Sequence, residues 1–449
     1  MAQELAVWMN GQLVGTWSKS RLGVSIFEYE SSWLASEYAR PLSISLPIPI
    51  AGGEIRGEVV QNYFDNLLPD AQHIRERLQK KFTTKDTDAY SLLEAIGRDC
   101  VGAVQLLPLG EKPEGFDRID SRPLSEADVS QILIDASRGT TPAQAPEDNP
   151  FRISLAGAQE KTALLRIGDE WHLPQGATPT SHILKLPLGL IGGYKGMDMR
   201  TSVENEWLCA QLLTAIGFNV AVTDMTSFLG QKVLVVERFD RRWMDDNGWL
   251  ARLPQEDFCQ VFGLPSSKKY EVDGGPGIVD ILSKLEASQN REDDRLRFLL
   301  VHFVFWLLAA LDGHAKNFSI ALQQGGGYML TPFYDVLSFW PVIGNAPNKQ
   351  SKFKAPMAMG VRGKSMHRKM VEIQARHWQV LAQKSGLPEA FETMIRISSE
   401  VENIFEAVRP RLPPDFPMKL WDAIYAGTRA QAKSFQTGLH APELGASRS

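Results

Sequence analysis

The sequence predicts an α+β fold, with strands concentrated in its first half and helices in its second. Three observations carry this. Asn10-Gly11 separates two short segments, residues 5–9 and 12–17, and this pair readily adopts the positive φ angles of a two-residue hairpin turn. Val233-Leu234-Val235-Val236 is an apolar run rich in β-branched residues, as expected of a strand buried on both faces. Residues 298–311 form an apolar run of helical length, and helical patterns return from 374 to 438.

At 449 residues the chain exceeds the size at which one hydrophobic core stops growing, so two or three domains are expected. Hydrophobic residues at 43% and charged residues at 22% exclude overall disorder. A net charge of -5 excludes a polyanion covering the whole surface. Cys100, Cys209 and Cys259 are too few and too far apart for a disulfide framework or a zinc pattern, which fits a reducing cytosol. No basic region followed by an apolar segment opens the chain, so no secretory signal is expected. The run 298–311 contains His302 and is shorter than the roughly 20 residues needed to cross a bilayer, so it is expected as a buried helix. The expectation is a cytoplasmic protein without a membrane partner.

Residues 1–108 predict an α+β accessory subdomain without a catalytic constellation. Beyond the hairpin it holds a strand over 40–46, a helix over 59–68 stopped by Pro69, a helix over 91–96 before Gly97, and a strand over 101–107. Residues 109–150 predict a connection with one helix, opened by a capping arrangement of Ser125 and Asp128 before Val129, Ile132 and Leu133. A nucleotide-binding lobe, 151–249, and a helical lobe, 250–449, follow.

In the middle region, strands over 151–154 and 162–167 flank a loop containing Ala156, Gly157, Ala158, Gln159 and Lys161. Small residues let backbone N–H groups approach a phosphate, and Lys161 adds positive charge. An ordinary hairpin fits as well, because the loop is neither a Walker loop nor a GxGxxG. Lys185 lies among apolar residues on a strand, facing nucleotide phosphates or sitting at a sheet edge. Thr201 and Glu204 have capping-box spacing, which leaves Glu206 to pair with Lys185 or to lie on a solvated helix face. The strand 233–236 ends abruptly at Glu237-Arg238-Phe239-Asp240, which suits a hinge where backbone groups read an adenine and an aromatic ring covers it. Phe239 fits a core position equally, and Arg241 and Arg242 fit surface ion pairs.

The densest signal is Asp312-Gly313-His314-Ala315-Lys316-Asn317 with Asp335 downstream. Four residues separate Asp312 from Asn317, the spacing of a base and a metal-binding amide in a phosphoryl-transfer loop; a second carboxylate then holds metal against phosphates. The preceding helix places Asp312 at a pocket floor. His314 is placed to reach a phosphate, or it is a packing histidine. Residues 328–335 predict a strand ending in Asp335, which a turn-forming aspartate would also explain. The polar segments 252–258 and 268–277 suit the lining of a cleft. Residues 349–369 carry five lysines, two arginines and one histidine with no acidic residue, either a solvated loop or a surface for nucleic acid or an acidic protein.

Taken in order, the segments 151–162, 182–185, 237–243, 253–257, 312–317 and 331–335 resemble the HipA family of bacterial serine/threonine kinases, the toxins of toxin–antitoxin modules. Trp33-Leu34-Ala35-Ser36 and residues 64–70 extend the likeness to the N-terminal subdomain. The resemblance implies a protein-kinase-like two-lobed fold, with a β-rich N-lobe, an all-helical C-lobe and an N-terminal α+β subdomain. It implies Asp312 as catalytic base, Asn317 and Asp335 as Mg2+ ligands, and Lys185 on ATP phosphates. Glu237 and Phe239 would receive adenine through their backbones, and Ser154 is the position of self-inactivating phosphorylation. The implied partners are an aminoacyl-tRNA synthetase substrate, the glutamyl enzyme above all, a HipB-like helix-turn-helix antitoxin, and operator DNA bound through it. The chain lacks the His-Arg before Asp312 and the Phe-Gly after Asp335 of ordinary protein kinases, as the HipA pattern does. A non-catalytic co-repressor and a small-molecule phosphotransferase are the alternatives.

Overall fold

The computed structural model describes residues 3–50, 52–138, 159–191, 196–244, 248–346 and 348–439. The first strands are Gln3–Met9 and Gln12–Lys19, joined at Asn10 and Gly11, whose φ angles are +44° and +78°. They lie in a five-stranded antiparallel sheet whose order is Glu54–Arg56, Ser25–Tyr29, Gln12–Lys19, Gln3–Met9, Val104–Pro108. Helices Glu58–Asp65, Gln72–Phe82 and Ala89–Ile96 accompany this sheet, and Trp17 stacks on Phe64 at 4.0 Å in the core between them.

Two expectations fail in this subdomain. Residues 40–46 form a tight turn with a single bridge from Ser43 to Leu46, because the Ser43 hydroxyl and Ile44 N–H both bond the buried Glu256 carboxylate instead of a neighbouring strand. The helix expected to reach Leu68 ends at Asp65, where the Asn66 amide donates to the carbonyls of Asn62 and Leu264, each at 2.8 Å.

A six-stranded antiparallel sheet follows, in the order Thr223–Phe228, Gln231–Glu237, His182–Lys185, Lys161–Ile167, Glu170–Pro174, Ser121–Pro123. The segment 109–138, expected as a connection, thus contributes an edge strand. It also contributes helix Glu126–Arg138, which packs Val129 and Leu133 against Leu164, Leu184 and Val233. Ser125 and Asp128 cap this helix reciprocally, at 2.9 and 3.2 Å. The strand expected over 151–154, with Ser154, Ala156, Gly157 and Ala158, lies outside the described residues, as do the connection 139–150 and the tail 440–449.

The second lobe is built around helix Arg291–Leu308, whose Phe303 and Trp306 meet Trp378 of helix Ala375–Lys384 and Phe435 of helix Met418–Leu439. Glu292, Asp293 and Asp294 favour its positive N-terminal end, and Ala309, in the left-handed region at φ +50°, terminates it before the expected Leu311. This lobe is not all-helical. Strands Gln255–Asp257, Ser319–Leu322 and Tyr328–Leu330 form a small sheet, and Pro356–Arg362 pairs with Met366–Lys369. Ile320 and Leu322 are buried across the partly buried Ala321, a period-two pattern too short to stand out in the sequence. The strand expected to run to Asp335 stops at Leu330, since Pro332 has no N–H to continue the ladder.

Candidate active site

A cleft of about 680 Å³ lies between the six-stranded sheet and the helical lobe, bounded on one side by the N-terminal subdomain. Each of the described site residues anticipated from sequence lines it: Gln159, Lys161, Lys185, Glu237, Phe239, Asp312, His314, Asn317 and Asp335.

The roof of the cleft follows from strand register. Lys161 and Lys185 are directly opposed on neighbouring antiparallel strands, so both side chains leave the same face of the sheet. Lys185 is buried and donates to Glu206 and to Asp335, each at 2.6 Å. Burial opposes its charge, yet the two carboxylates hold its ammonium above the usual lysine range. Burial and the facing Lys185 push Lys161 down to about 8. Glu206 is therefore the partner of Lys185, and it is buried rather than solvated. Thr201 makes no side-chain cap; Glu204 instead bonds Lys232 at 2.5 Å, so no capping box forms.

At the back, strand Gln231–Glu237 turns into the expected hinge. The Glu237 N–H donates to the Val222 carbonyl at 2.9 Å, and among the described residues no backbone carbonyl takes the Phe239 N–H. Phe239 faces the cleft with its ring 5.7 Å from that of Tyr334. Arg241 is not a surface residue: it lies buried with Arg238 and Arg252 around Asp99 of the N-terminal subdomain, at 2.9, 3.3 and 3.1 Å. Burial opposes the Asp99 charge, but these guanidinium groups hold its carboxyl far below the usual range. Arg242 is exposed.

The floor is the loop after helix Arg291–Leu308. Gly313 allows its tight course, because a Cβ there would meet the Phe305 ring at 2.6 Å. Asp312 projects as an exposed side chain rather than from a sealed pocket floor, and its Oδ1 accepts from the Tyr270 hydroxyl at 2.6 Å. Asn317 donates its amide N–H to the Asp312 carbonyl at 2.8 Å, which leaves the amide oxygen as the end suited to a cation. His314 is buried, and its Nδ1 has no hydrogen-bond partner among the described residues. Burial holds its pKa below the ordinary histidine value, outweighing the nearby Asp312 charge and so favouring the neutral ring. Asp335 has φ +61°, an uncommon conformation for a residue other than glycine and one found often at functional sites. Burial opposes its ionisation, but Lys185 holds the Asp335 carboxyl down at about 2.

These donors fit a magnesium ion. Mg2+ is usually held by one or two carboxylates together with substrate phosphates and water, and Asp335 and Asn317 present one carboxylate and one amide oxygen to a cleft large enough for a nucleotide. Among the described residues no cluster of three His, Cys, Asp or Glu could hold a metal without such a co-ligand.

Several further charged residues line the cleft. The Lys316 ammonium is buried and contacts the Asn66 carbonyl at 3.0 Å, the Asn66 side-chain oxygen at 2.8 Å and Asp257 at 3.0 Å. Asp70 pairs with Lys269 at 2.8 Å. The N-terminal subdomain therefore borders the loop 312–317 directly. The signal for this was the presence of residues 64–70 and 253–257 among the matching segments, but spacing alone assigns them no chemistry.

Residues 5–107 match the HipA N-terminal domain, and residues 153–409 match the HipA-like C-terminal domain. The chain belongs to the HipA family of kinases. Among curated members, a putative kinase, Y4mE of Sinorhizobium fredii, is 35% identical over 411 residues, covering 90% of each chain. The serine/threonine-protein kinase toxin HipA of Shewanella oneidensis is 28% identical over 324 residues, covering 69% of each. A chain of the solved complex of HipA, HipB and operator DNA from Shewanella oneidensis MR-1 superimposes with a TM-score of 0.78 at 24% identity, over 96% of this chain and 97% of that one. The HipA fold thus extends over nearly the whole chain. Among the described residues no helix is long and apolar enough to cross a membrane.

Proposed function

We propose that this HipA-family chain transfers the γ-phosphate of ATP to a serine of a protein and acts as the toxin of a toxin–antitoxin module. The observation that carries the reading is the convergence of Lys185, Asp312, Asn317 and Asp335 on one cleft, from three separate stretches of sequence. Lys161 and Lys185 receive the phosphates, the Glu237–Phe239 hinge receives adenine through its backbone, and Phe239 covers the base. Asn317 and Asp335 hold Mg2+, which would neutralise charge on the phosphates. The Asp312 carboxylate takes the proton of the acceptor hydroxyl as its oxygen bonds the γ-phosphorus. The bond from that phosphorus to the bridging oxygen breaks, and ADP leaves. Neutral His314 donates to a phosphate oxygen.

The acceptor is an aminoacyl-tRNA synthetase, the glutamyl enzyme above all, so that transfer stops translation and favours dormancy in the cytoplasm. Ser154 is the self-phosphorylation position; a phosphate there adds about 1.5 to 2 negative charges and inactivates the enzyme. A HipB-like antitoxin binds the chain and carries it to operator DNA, a reading supported by the solved Shewanella oneidensis complex, in which HipA, HipB and operator DNA occur together. Incubation with radiolabelled ATP and Mg2+, with and without purified glutamyl-tRNA synthetase, tests the reading. Label is expected on the synthetase and on Ser154, and Asp312→Asn should abolish it while retaining nucleotide binding. Folded protein that labels neither would overturn the kinase assignment.

A further inference from the structure

Lys269 and Tyr270 form a strap between the N-terminal subdomain and the catalytic loop. The Lys269 ammonium pairs with Asp70 Oδ2 at 2.8 Å, while its carbonyl accepts the Ala315 N–H at 3.1 Å. One residue on, the Tyr270 hydroxyl donates to Asp312 Oδ1 at 2.6 Å, and its ring meets His314 edge to face at 5.0 Å. The Tyr270 carbonyl is fixed in turn by the Gly275 N–H at 2.9 Å. Among the described residues no other hydrogen bond reaches the Asp312 carboxylate, which is exposed and otherwise able to change rotamer. Burial and the facing Asp312 charge push the Tyr270 phenol up, so it remains a donor at every working pH.

We propose that Tyr270 is a positioning residue for phosphoryl transfer: it holds Oδ1 of Asp312 and leaves Oδ2 to the acceptor hydroxyl, while the Lys269–Asp70 pair makes the N-terminal subdomain part of that constraint. The proposal rests on Asp312 being the base. A base displaced by about an ångström loses as much as 10²-fold in rate, and a carboxylate freed to sample other rotamers still visits the productive one, so losing this bond should cost ~10-fold.

The test is the rate at which the full chain incorporates label from radiolabelled ATP onto itself, measured against ATP concentration. Tyr270→Phe should lower the maximal rate ~10-fold and leave the KM for ATP unchanged. Asp70→Asn should give a smaller loss of the same kind, and the double variant should be no slower than Tyr270→Phe alone. If Tyr270→Phe fails to fold, Asp70→Asn and Lys269→Met carry the same test with Tyr270 in place. A wild-type maximal rate in Tyr270→Phe, a loss confined to the KM for ATP, or losses that multiply in the double variant would overturn the proposal. Asp312→Asn separates the two levels. If it is inactive while Tyr270→Phe is unimpaired, only the positioning role fails; if it retains turnover, the base assignment fails as well.

Discussion

Glu206, on helix Ser202–Ile216, places Oε1 2.6 Å from the Lys185 ammonium, which lies the same distance from Asp335. One buried cation thus serves two carboxylates that titrate very differently. Burial pushes Glu206 up to about 7 against the pull of Lys185, with the Asp335 charge adding to the rise. Asp335 stays ionised throughout the physiological range.

That asymmetry makes Glu206 the member of the triad that responds to pH. Glu206→Gln should weaken ATP binding ~10-fold, because Lys185 loses one of the two carboxylates that position its ammonium. Wild-type affinity should fall as pH drops below about 7, where Glu206 takes up a proton, and the variant should lack that acid limb. Titration with a fluorescent nucleotide across this range checks both points; an unchanged affinity in the variant would remove Glu206 from the site.

Lys161 predicts the opposite limb. Its ammonium is depressed to about 8, so its positive charge is lost as pH rises through that value and nucleotide affinity should decline with it. Lys161→Arg keeps the charge and should flatten the alkaline limb. The same titration, extended upward, detects this.

Glu256 links the turn at Ser43 to strand Gln255–Asp257, and burial raises its carboxyl from 4.5 to about 8, against the bonds from Ser43 and Ile44. A group whose folded pKa lies above its unfolded value favours the folded state fully below the unfolded pKa, and that contribution is lost as pH rises through the folded pKa. Stability should therefore decline between about 4.5 and about 8. Glu256→Gln should show a smaller decline and melt higher than wild type on the alkaline side. Thermal melts at acid and alkaline pH decide it.

The Asp99 cluster holds the hinge residues against the N-terminal subdomain: Asp240 also accepts the Gly102 N–H at 2.7 Å. Asp99→Ala would leave three buried guanidinium groups short of an anion, a defect that costs about 3–5 kcal/mol when a buried pair is broken. Asp99→Asn, which keeps an acceptor, should lose less. Denaturant titration measures the difference; a wild-type midpoint in Asp99→Ala would show that the cluster does not stabilise the docked subdomain.

Much of this site was legible in the sequence because its chemistry is local. The spacing from Asp312 to Asn317 fixes two functional groups within one turn of chain, and the runs 182–185 and 233–236 announce strands by their composition. Where reading failed, a distant partner won. Residues 40–46 alternate as a strand would, yet Glu256 draws their backbone into a turn. Glu204 has capping-box spacing, yet Lys232 takes its carboxylate. Arg241 looks like a surface cation, yet Asp99 lies 142 positions away in the chain and 2.9 Å away in space.

The sequence by itself determined the family, the two-lobed architecture and the candidate residues that line the cleft, since these follow from residue order and short-range spacing. Only the tertiary structure decided which charges pair. It gave Lys185 to Glu206 and Asp335, enclosed Arg241, and set Tyr270 on Asp312. The physical reason is that an ion pair depends on distance and desolvation, and both are created only when segments remote in sequence are packed together.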